Sequence, residues 1–450
     1  MLNNTNRRDF MATTASLGAA VWVGNNLVRA DDKSPNAKVR YACIGLGGKG
    51  GSDSADAASH GEVVAVCDID DRTLEKKSKQ PGFDNAQKFS DYREMFDKLG
   101  DKIDAVTVST PDHMHAPASA QAMKMGKACF TQKPLTHTVW EARRLQEIAS
   151  ETKVPTQMGN QGTALDGHRR GAALLRGGHL GRVKEVHVFT NRPVWPQGGA
   201  RPETTEVPPF VHWEEWLGAA PERPYANGYH PFSWRGYWDF GTGALGDMAC
   251  HIFNLPFDGL NLRNPKSIQA NCTGHNQDSY PQASTIAFEF AHPSGQGGDL
   301  PVFWYDGGRL PDEKLLNGQK FKAKGGVIIV GEDLTFYSAN DYGDHWILID
   351  KDGKEVPVPE LEFEKSPGHF TEFHQAITGE RKQAASNFGN YAGPLTETIL
   401  LGNLAVWDAA KGEGRKILWD AEKMLATNAP EVQKIVNKEY RGGYDKYLKG

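Results

Sequence analysis

The chain has 450 residues, of which 39% are hydrophobic and 24% are charged, and its formal net charge is −5. This composition is typical of soluble globular proteins, and the length exceeds one ordinary hydrophobic core, so we expect two domains. The slightly acidic balance gives no electrostatic support for nucleic acid or an anionic membrane as a partner. The five cysteines are scattered without a Cys-x-x-Cys pair, so the sequence predicts neither a disulfide framework nor a metal site.

The first 30 residues predict a targeting segment. Arg7-Arg8 precede a modestly apolar stretch over residues 12–28, and residues 28–30 resemble a cleavage site after small side chains. The pattern resembles a twin-arginine signal peptide, and its apolar stretch is too short to span a bilayer as a stable helix. A chance arginine pair before an amphipathic helix is the alternative. We therefore expect a signal over residues 1–30, a linker over 31–37, and export to the periplasm or beyond without stable membrane insertion.

The most specific motif of the chain follows this linker. A predicted strand runs into Gly45, Gly47 and Gly50, and a second predicted strand ends at Asp68. In such a motif the first glycine permits a tight turn, the second lets the backbone approach a pyrophosphate, and the third lets the helix pack closely on the strand. The pyrophosphate then lies on free N–H groups at the positive end of that helix. The motif predicts a dinucleotide site, and a plain strand-to-helix turn is the alternative.

The acidic end of the second strand indicates which dinucleotide is bound. Asp68 lies 18 residues beyond Gly50, where a carboxylate can accept hydrogen bonds from an adenosine ribose. A 2′-phosphate at that place would meet a like charge, which favours NAD over NADP. Lys49 and Arg72 lie near enough in the sequence to leave NADP open.

Strands and helices alternate up to residue 157, which is typical of βαβ units in a parallel, doubly wound sheet. We expect residues 38–157 to form a Rossmann domain. The predicted strands cover 39–44, 63–67, 104–110, 127–131 and 155–158, and the predicted helices cover 116–125 and 138–152.

The pattern changes after Gly159, where apolar and polar residues alternate in several short runs. Such runs predict an antiparallel sheet with one covered face, so residues 158–450 are expected to form an α+β domain for substrate binding and oligomerisation. Residues 191–239 are rich in Pro, Gly and Trp and predict a long loop over a site. The predicted strands cover 183–190, 267–272, 285–290, 302–305, 327–330 and 346–349, and the predicted helices cover 246–255, 369–377 and 394–410.

Two clusters of polar side chains end predicted parallel strands, where this class of fold binds its ligands. Residues 109–115 (Ser-Thr-Pro-Asp-His-Met-His) form the first cluster, and Gln132-Lys133-Pro134 form the second. A lysine at such a strand end can donate a hydrogen bond to a substrate hydroxyl beside a nicotinamide. For Lys133 taken alone, a surface lysine at a turn is the alternative.

A third cluster lies in the second predicted domain. Asp247 and His251 are four residues apart, so a helix would place both on one face. An imidazole near a substrate carbinol is a candidate general base. An N-cap aspartate and a buried, hydrogen-bonded histidine are the alternative.

Taken in order, these motifs resemble the glucose–fructose oxidoreductase, inositol dehydrogenase and MocA (Gfo/Idh/MocA) family over nearly the whole mature chain. Residues 234–247 also resemble exported members with a twin-arginine signal. The resemblance implies an N-terminal Rossmann domain and a C-terminal α/β domain whose large open sheet is often used for oligomerisation, so a homo-oligomer, a dimer or tetramer, is expected. The set comprises the glycines at 45, 47 and 50, Asp68, Thr110-Pro111 with His115, Lys133-Pro134, and Gly246-Asp247 with His251.

The resemblance also implies hydride transfer between a nicotinamide and the carbinol of a sugar or cyclitol, with Lys133, Asp247 and His251 in the positions of the family's catalytic residues. One residue departs from the family pattern, because Gln132 stands where a glutamate usually precedes the lysine. The residues expected to contact the cofactor, which is NAD with NADP not excluded, are Gly45, Leu46, Gly47, Gly48, Lys49, Gly50, Asp68, Ile69, Arg72, Thr110, Pro111, His113, His115, Gln132, Lys133 and Asn160. The residues expected to contact a sugar or glycoside are Gln161, Trp195, Tyr229, Trp234, Arg235 and Tyr237.

Three functions compete at this point. The first is a sugar dehydrogenase or oxidoreductase with a tightly held cofactor, since free NAD is not expected to be abundant outside the cytoplasm. The second is an NAD-dependent glycoside hydrolase or lyase that works through a transient 3-keto sugar. The third is a non-catalytic sugar-binding protein, which would have no need of the set Lys133, Asp247 and His251.

Overall fold

The computed structural model describes residues 38–293, 295 and 297–449. The predicted signal peptide and linker lie outside the described residues. Within the described part, no helix is long and apolar enough to cross a membrane. All five cysteines lie in this part, and each is a buried free thiol.

The first half of the described chain builds a six-stranded sheet in which every strand runs parallel to its neighbours. The order along the sheet is β3-β2-β1-β4-β5-β6, so the predicted doubly wound Rossmann fold is confirmed. Its strands are β1 (Arg40–Ile44), β2 (Glu62–Cys67), β3 (Gln87–Phe89), β4 (Ala105–Val108), β5 (Ala128–Thr131) and β6 (Thr156–Met158), and its helices are α1 (Lys49–His60), α2 (Asp71–Ser78), α3 (Tyr92–Leu99), α4 (Asp112–Lys124) and α5 (Val139–Thr152).

Burial on both faces explains the apolar sequences of the central strands. In β1 and β4 all residues except Arg40 are buried, because helices cover both sides of the sheet. The strand β6 extends one residue past the boundary that we predict after Gln157, and that boundary remains a prediction.

The helix α4 begins four residues before the predicted start, at Asp112 rather than Ala116. Every residue from Asp112 to Met123 is buried, including two histidines. The polar residues at its start therefore do not mark a solvent-exposed turn, and sequence periodicity could not locate the first turn.

The second half builds a ten-stranded sheet in the order β14-β13-β12-β11-β7-β10-β9-β8-β15-β16. The sheet is mainly antiparallel as predicted, except that β7 and β10 pair in parallel. A parallel pair needs a long crossover connection, which the helices and loops between these two strands provide. The strands are β7 (Val183–Phe189), β8 (Ser267–Cys272), β9 (Ser284–Ala291), β10 (Asp299–Tyr305), β11 (Gly326–Gly331), β12 (Thr335–Ser338), β13 (Ile347–Ile349), β14 (Glu355–Val356), β15 (Ile417–Asp420) and β16 (Leu425–Ala426).

The helices of this half are α6 (Asp166–Arg176), α7 (Trp213–Leu217), α8 (Gly243–Ile252), α9 (Asn254–Leu260), α10 (His369–Thr378), α11 (Gly393–Asp408), α12 (Gln433–Val436) and α13 (Lys446–Lys449), with 3₁₀ turns at Gly100–Lys102, Gln161–Ala164, Ser233–Gly236, Glu313–Leu316 and Pro430–Val432 and a π turn at Phe388–Ala392. The helix predicted over 246–255 is two helices, α8 and α9. Pro256 in the first turn of α9 has no N–H to donate to the carbonyl of Ile252, so the helix breaks there.

The helix α11 connects the two sheets. It packs on α5 of the Rossmann part and on β8 and β9 of the second sheet. Nearly all of its residues up to Val406 are buried. The long connection between β7 and α8 runs over residues 190–242 with only α7 and one 3₁₀ turn, which agrees with the predicted loop.

Candidate active site

A cleft of about 610 Å³ opens at the carboxyl ends of β1, β2, β4 and β5. One wall is the glycine loop before α1, and the other is the long connection after β7. Among the residues predicted from the sequence to bind ligands, those that line the cleft are Gly45, Gly47, Gly48, Lys49, Asp68, Ile69, Arg72, Thr110, Pro111, His115, Gln132, Lys133, Trp195, Trp234, Arg235 and Asp247.

The glycine loop has the geometry that a dinucleotide requires. Gly45 adopts a left-handed φ of 81°, and a Cβ there would lie 2.5 Å from the Ser109 carbonyl oxygen. A Cβ on Gly50 would collide with the Gly45 carbonyl, so α1 packs directly on the loop. At Gly47 the nearest atom to such a Cβ is 3.9 Å away, which leaves the backbone open to the cleft. Gly48 caps α1 without a side chain, so the first turn stays available to an anion.

Asp68 is held in place by the backbone around it. Its Oδ2 accepts from the Leu46 N–H at 2.7 Å, and its Oδ1 accepts from the Asp70 N–H at 3.0 Å. Burial raises the pKa of Asp68, and these two hydrogen bonds oppose that rise. The carboxylate therefore faces the cleft in one fixed orientation, suited to the hydroxyls of a ribose.

Asp70 is a buried member of this site that sequence reasoning missed. Its Oδ2 lies 2.8 Å from Arg72 Nη2 and 3.2 Å from His230 Nε2. Burial opposes ionisation, but the hydrogen bonds from Arg72 and His230 hold the pKa of Asp70 at about 2. The Arg72 guanidinium also lies 3.5 Å above the Phe210 ring. Through His230 and Phe210, these contacts attach the long connection to the end of the cleft where Asp68 lies, and they engage the Arg72 guanidinium.

A chain of four alternating charges crosses the opposite end of the cleft. Lys133 Nζ lies 2.6 Å from Asp247 Oδ1, and Arg235 Nε lies 3.4 Å from the same oxygen. Arg235 Nη1 is also 3.0 Å from Asp112 Oδ1. Burial opposes ionisation of Asp247, but the positive charges of Lys133 and Arg235 hold its pKa well below the usual range. Thr242 donates to Asp112 at 2.6 Å and completes the network.

Arg235 is predicted from the sequence to contact a sugar, and in the structure its guanidinium contacts Asp112 and Asp247. Burial lowers its pKa, but the charges of Asp112 and Asp247 more than compensate and raise it. Its guanidinium lies 4.3 Å from the Trp234 ring and 5.8 Å from the Trp195 ring. It lines the cleft while its charge is neutralised by the two aspartates.

His251 lies one helical turn beyond Asp247 and does not line the cleft. The residue is 4% exposed, and its ring meets the Tyr342 ring edge-on with 5.0 Å between centroids. Burial, together with the charge of Lys133, holds the pKa of His251 well below its ordinary value, so the imidazole is neutral near pH 7. Its Nδ1 has no hydrogen-bond partner among the described residues, so a proton acceptor is available on this ring.

Two more histidines have their ring nitrogens in contact with backbone carbonyls, so these nitrogens do not face the open cleft. His115 has its two ring nitrogens 2.7 Å from the Pro134 carbonyl and 2.8 Å from the Thr110 carbonyl. His113 contacts the carbonyls of Trp216 and Phe240, and burial lowers its pKa to about 3. His115 reaches the edge of the cleft, whereas His113 does not.

The remaining predicted residues lie outside the cleft, and their roles stay predictions. Tyr229 and Tyr237 are buried in an aromatic cluster with Trp213, Trp216 and Phe240. The side chain of Asn160 accepts from Ser386 at 2.6 Å and contacts Asn254, so its amide is already engaged. The predicted residues that do not line the cleft are Leu46, Gly50, His113, Asn160, Gln161, Tyr229, Tyr237 and His251.

Several lining residues carry no sequence signal. The connection after β7 brings two exposed apolar side chains to the cleft, Val194 at 62% and Phe232 at 57% exposure. No periodicity exists in that segment, so nothing local marks them. The other lining residues that the sequence did not mark as binding residues include Asp70, Thr73, Arg192, Glu215, Trp216, His230, Pro231 and Tyr444.

Residues 39–160 match an oxidoreductase family with an NAD-binding Rossmann fold, and residues 176–295 match the C-terminal alpha/beta domain of that family. The chain belongs to the Gfo/Idh/MocA oxidoreductase family. A glycosyl hydrolase family 109 protein of Solibacter usitatus is 30% identical over 173 residues, which is 34% of this chain and 38% of that relative. The match thus spans little more than a third of the relative's length.

Solved structures share the fold at low identity. The WlbA dehydrogenase from Bordetella pertussis in complex with NADH and UDP-GlcNAcA gives a TM-score of 0.57 at 17% identity, covering 85% of this chain and 99% of that one. An inositol dehydrogenase homolog from Azotobacter vinelandii, complexed with NADH and myo-inositol, gives 0.56 at 17% identity, covering 85% and 98%. The family to which the chain belongs has an NAD-binding Rossmann fold, so the cofactor is NAD.

The residues of the cleft fit this cofactor. Gly47 leaves space beside the backbone, and no side chain caps the start of α1, where a pyrophosphate would lie. Asp68 lines the same cleft and could accept hydrogen bonds from a ribose. Thr110 Oγ1 is buried in the lining without a hydrogen-bond partner among the described residues, so it is free to bind a ligand.

Proposed function

We propose that this oxidoreductase acts on a CH–OH group of a sugar, glycoside or cyclitol and retains its NAD(H) tightly. The observation that carries the proposal is the 2.6 Å contact between Lys133 Nζ and Asp247 Oδ1 at the end of an NAD cleft. A lysine held at that place can donate a hydrogen bond to the oxygen of a substrate carbinol, while a neutral histidine lies one turn beyond Asp247.

NAD, when bound, supplies the hydride acceptor for the carbinol carbon. The glycine loop would hold the pyrophosphate of NAD, and Asp68 would hold its adenosine ribose. The carboxyl ends of β4 and β5 would hold the rest of the dinucleotide. Lys133 donates a hydrogen bond to the substrate oxygen and stabilises the negative charge that develops on that oxygen as the hydroxyl proton leaves, before the hydride leaves the carbon.

Two groups compete for the hydroxyl proton. His251 is neutral and its Nδ1 is unpartnered among the described residues, so it can accept a proton. Lys133 lines the cleft, and its unprotonated amine is the alternative acceptor. Asp247 precedes His251 by one helical turn, and its carboxylate contacts Lys133 and Arg235. Asp247 therefore holds the lysine.

The aromatic wall of the cleft suits a sugar ring. Trp195 and Trp234 line the cleft beside Arg235, and Phe232 adds an exposed aromatic surface. Aromatic faces pack against the apolar C–H faces of pyranose rings. The dehydrogenase neighbours, solved with UDP-GlcNAcA and myo-inositol, support a sugar-like ligand.

Glycoside cleavage is the second candidate, favoured by the glycosyl hydrolase family 109 relative. Oxidation at C3 would acidify the C2 proton, and elimination would then expel the aglycone. Addition of water and return of the hydride would restore the sugar, with no net redox change. A non-catalytic sugar-binding protein is the third candidate, but it gives no reason for the Lys133–Asp247 contact.

The deciding experiment is incubation of the purified protein with p-nitrophenyl glycosides and unsubstituted sugars, without added cofactor. Stoichiometric keto-sugar and reduced cofactor without aglycone release support the oxidoreductase. Nitrophenol release without net NADH contradicts it and supports cleavage. Ligand binding without either product supports the binding protein. The variant Lys133→Met is the control, since it removes only the amine from the reacting position.

Export is a further proposal that bears on the cofactor. The predicted twin-arginine route carries folded proteins, so NAD could be bound before export and would then be regenerated in place, by a second sugar or within one catalytic cycle. Fractionation of the native host tests the location. Sedimentation of the mature protein tests the proposed homo-oligomer.

A further inference from the structure

A buried carboxylate lies beneath the cofactor cleft and takes part in no step above. Asp53, in the second turn of α1, is 1% exposed. Its Oδ1 lies 2.9 Å from Lys49 Nζ, and its Oδ2 accepts from Ser109 Oγ at 2.7 Å and from Gln132 Nε2 at 2.9 Å. These three partners come from α1 and from the segments that follow β4 and β5, and all three line the cleft.

The chemistry of this contact fixes the orientation of the Gln132 amide. Asp53 can only accept, so the NH₂ group of Gln132 must face it. Gln132 Oε1 then faces the backbone N–H of Lys133 at 3.3 Å. Gly159 packs flat against the same amide, where a Cβ would collide with Nε2. The amide is therefore held on three sides, directly before the lysine of the reacting end.

We propose that Asp53 and Gln132 form a charge-matched pair that positions the lysine end of the NAD cleft, with Asp53 as the positioning residue. Asp53 supplies the single negative charge of this buried contact, so residue 132 must be neutral and must donate. A glutamate at 132 would place two carboxylates against each other. The pair accounts for the glutamine that stands where the family resemblance leads one to expect a glutamate. The inference rests on NAD binding and not on the proposed sugar chemistry.

The test is a charge-swap series read by the NAD dissociation constant of the apoprotein between pH 5 and 8.5, with the thermal unfolding midpoint as a second readout. We expect Gln132→Glu to weaken NAD binding about tenfold or more at pH 8, because two facing carboxylates cannot both ionise cheaply. Binding should recover toward pH 5, where the pair shares one proton. Adding Asp53→Asn to Gln132→Glu should restore most of the affinity at pH 8 and remove the pH dependence.

Other titratable groups near Asp53 do not account for the expected difference between the variants in the pH dependence of NAD binding. Lys49 and Asp56 lie on α1, Cys43 on β1 and His369 at the start of α10. Burial raises the pKa of Cys43 to about 12 and lowers that of His369 to about 4. All four groups are present in every variant, so the wild type provides their common background.

The variant Gln132→Met separates charge from hydrogen bonding. It removes the donor without adding a charge, so its loss of affinity should be smaller and independent of pH. The proposal is overturned if Gln132→Glu binds NAD like the wild type across the pH range. It is equally overturned if the double variant binds no better than Gln132→Glu. Should Gln132→Glu be unfolded at pH 8, the proposal requires the double variant to be folded there.

Discussion

Lys133 and Asp247 meet at 2.6 Å although they lie 114 residues apart, at the end of β5 and on α8. Lys133 also donates to the Asp247 backbone carbonyl at 3.0 Å. Lys133 thus donates two hydrogen bonds to Asp247, which belongs to the second half of the chain. This contact joins the Rossmann sheet to α8 at the place where a cofactor and a substrate would meet.

Lys133→Met should abolish substrate oxidation. Loss of a positioned acid–base and charge-stabilising group costs about 100-fold or more in rate, whereas NAD affinity should fall far less. The measurement pairs single-turnover reduction of bound cofactor with NAD titration. Asp247→Asn is the matched variant, since it keeps the shape of the side chain that contacts Lys133 and removes its charge. Retention of wild-type turnover by Lys133→Met would contradict the role of the lysine.

Gly47 and Gly50 should respond differently to the same added methyl group. Gly47→Ala has space on the protein side but places a methyl group at the cleft, so NAD affinity should fall with little change in stability. Gly50→Ala collides with the Gly45 carbonyl, so both affinity and stability should fall. Calorimetric titration and thermal unfolding measure the two effects. Equal losses of stability in the two variants would count against this geometry.

Removing Arg235 should destabilise the fold. Asp112 is fully buried, and among the described residues Arg235→Met leaves its carboxylate with one side-chain hydrogen-bond donor, the Thr242 hydroxyl. Breaking a buried pair on one side costs about 3–5 kcal/mol. Urea unfolding measures the loss, and Asp112→Asn added to Arg235→Met should recover part of it because no buried charge remains unpaired. A loss below about 1 kcal/mol in the single variant would show that the ion pair is not structural.

The contacts of Asp70 with Arg72 and His230 predict a specific pH dependence of the free energy of unfolding. The Asp70 pKa of about 2 lies below the ordinary value of 3.8. Its stabilisation is therefore fully present above about pH 4 and is lost as the pH falls toward 2. Asp70→Asn should lower the free energy of unfolding by about 2 kcal/mol at pH 6. The gap from the wild type should narrow below pH 4, and a gap that stays constant would argue against the depressed pKa.

Much of the cofactor cleft could be predicted because its signals are local. The glycines, Asp68 and the polar ends of the parallel strands follow from short motifs and from one rule about sheet edges. Lys133 and Asp247 were candidates individually, but only the resemblance and the fold bring them together.

The other wall could not be predicted, because it depends on tertiary contacts. The segment 190–242 has no periodicity, so nothing local indicates that His230 contacts Asp70 or that Arg235 contacts Asp112. Tyr229 and Tyr237 carry the residue types of a sugar site, yet they pack against Trp213 and Phe240. Aromatic composition alone does not tell a binding wall from a small core.

Tight retention of NAD(H) is tested most directly by identifying the nucleotide that the purified protein carries. The dialysed wild-type protein is denatured, and the released nucleotide is identified and counted by mass spectrometry. We expect close to one NAD(H) per chain, retained because the Asp70 contacts hold the long connection across the end of the cleft where Asp68 lies. A protein that releases no nucleotide and binds no NAD on titration would contradict this expectation.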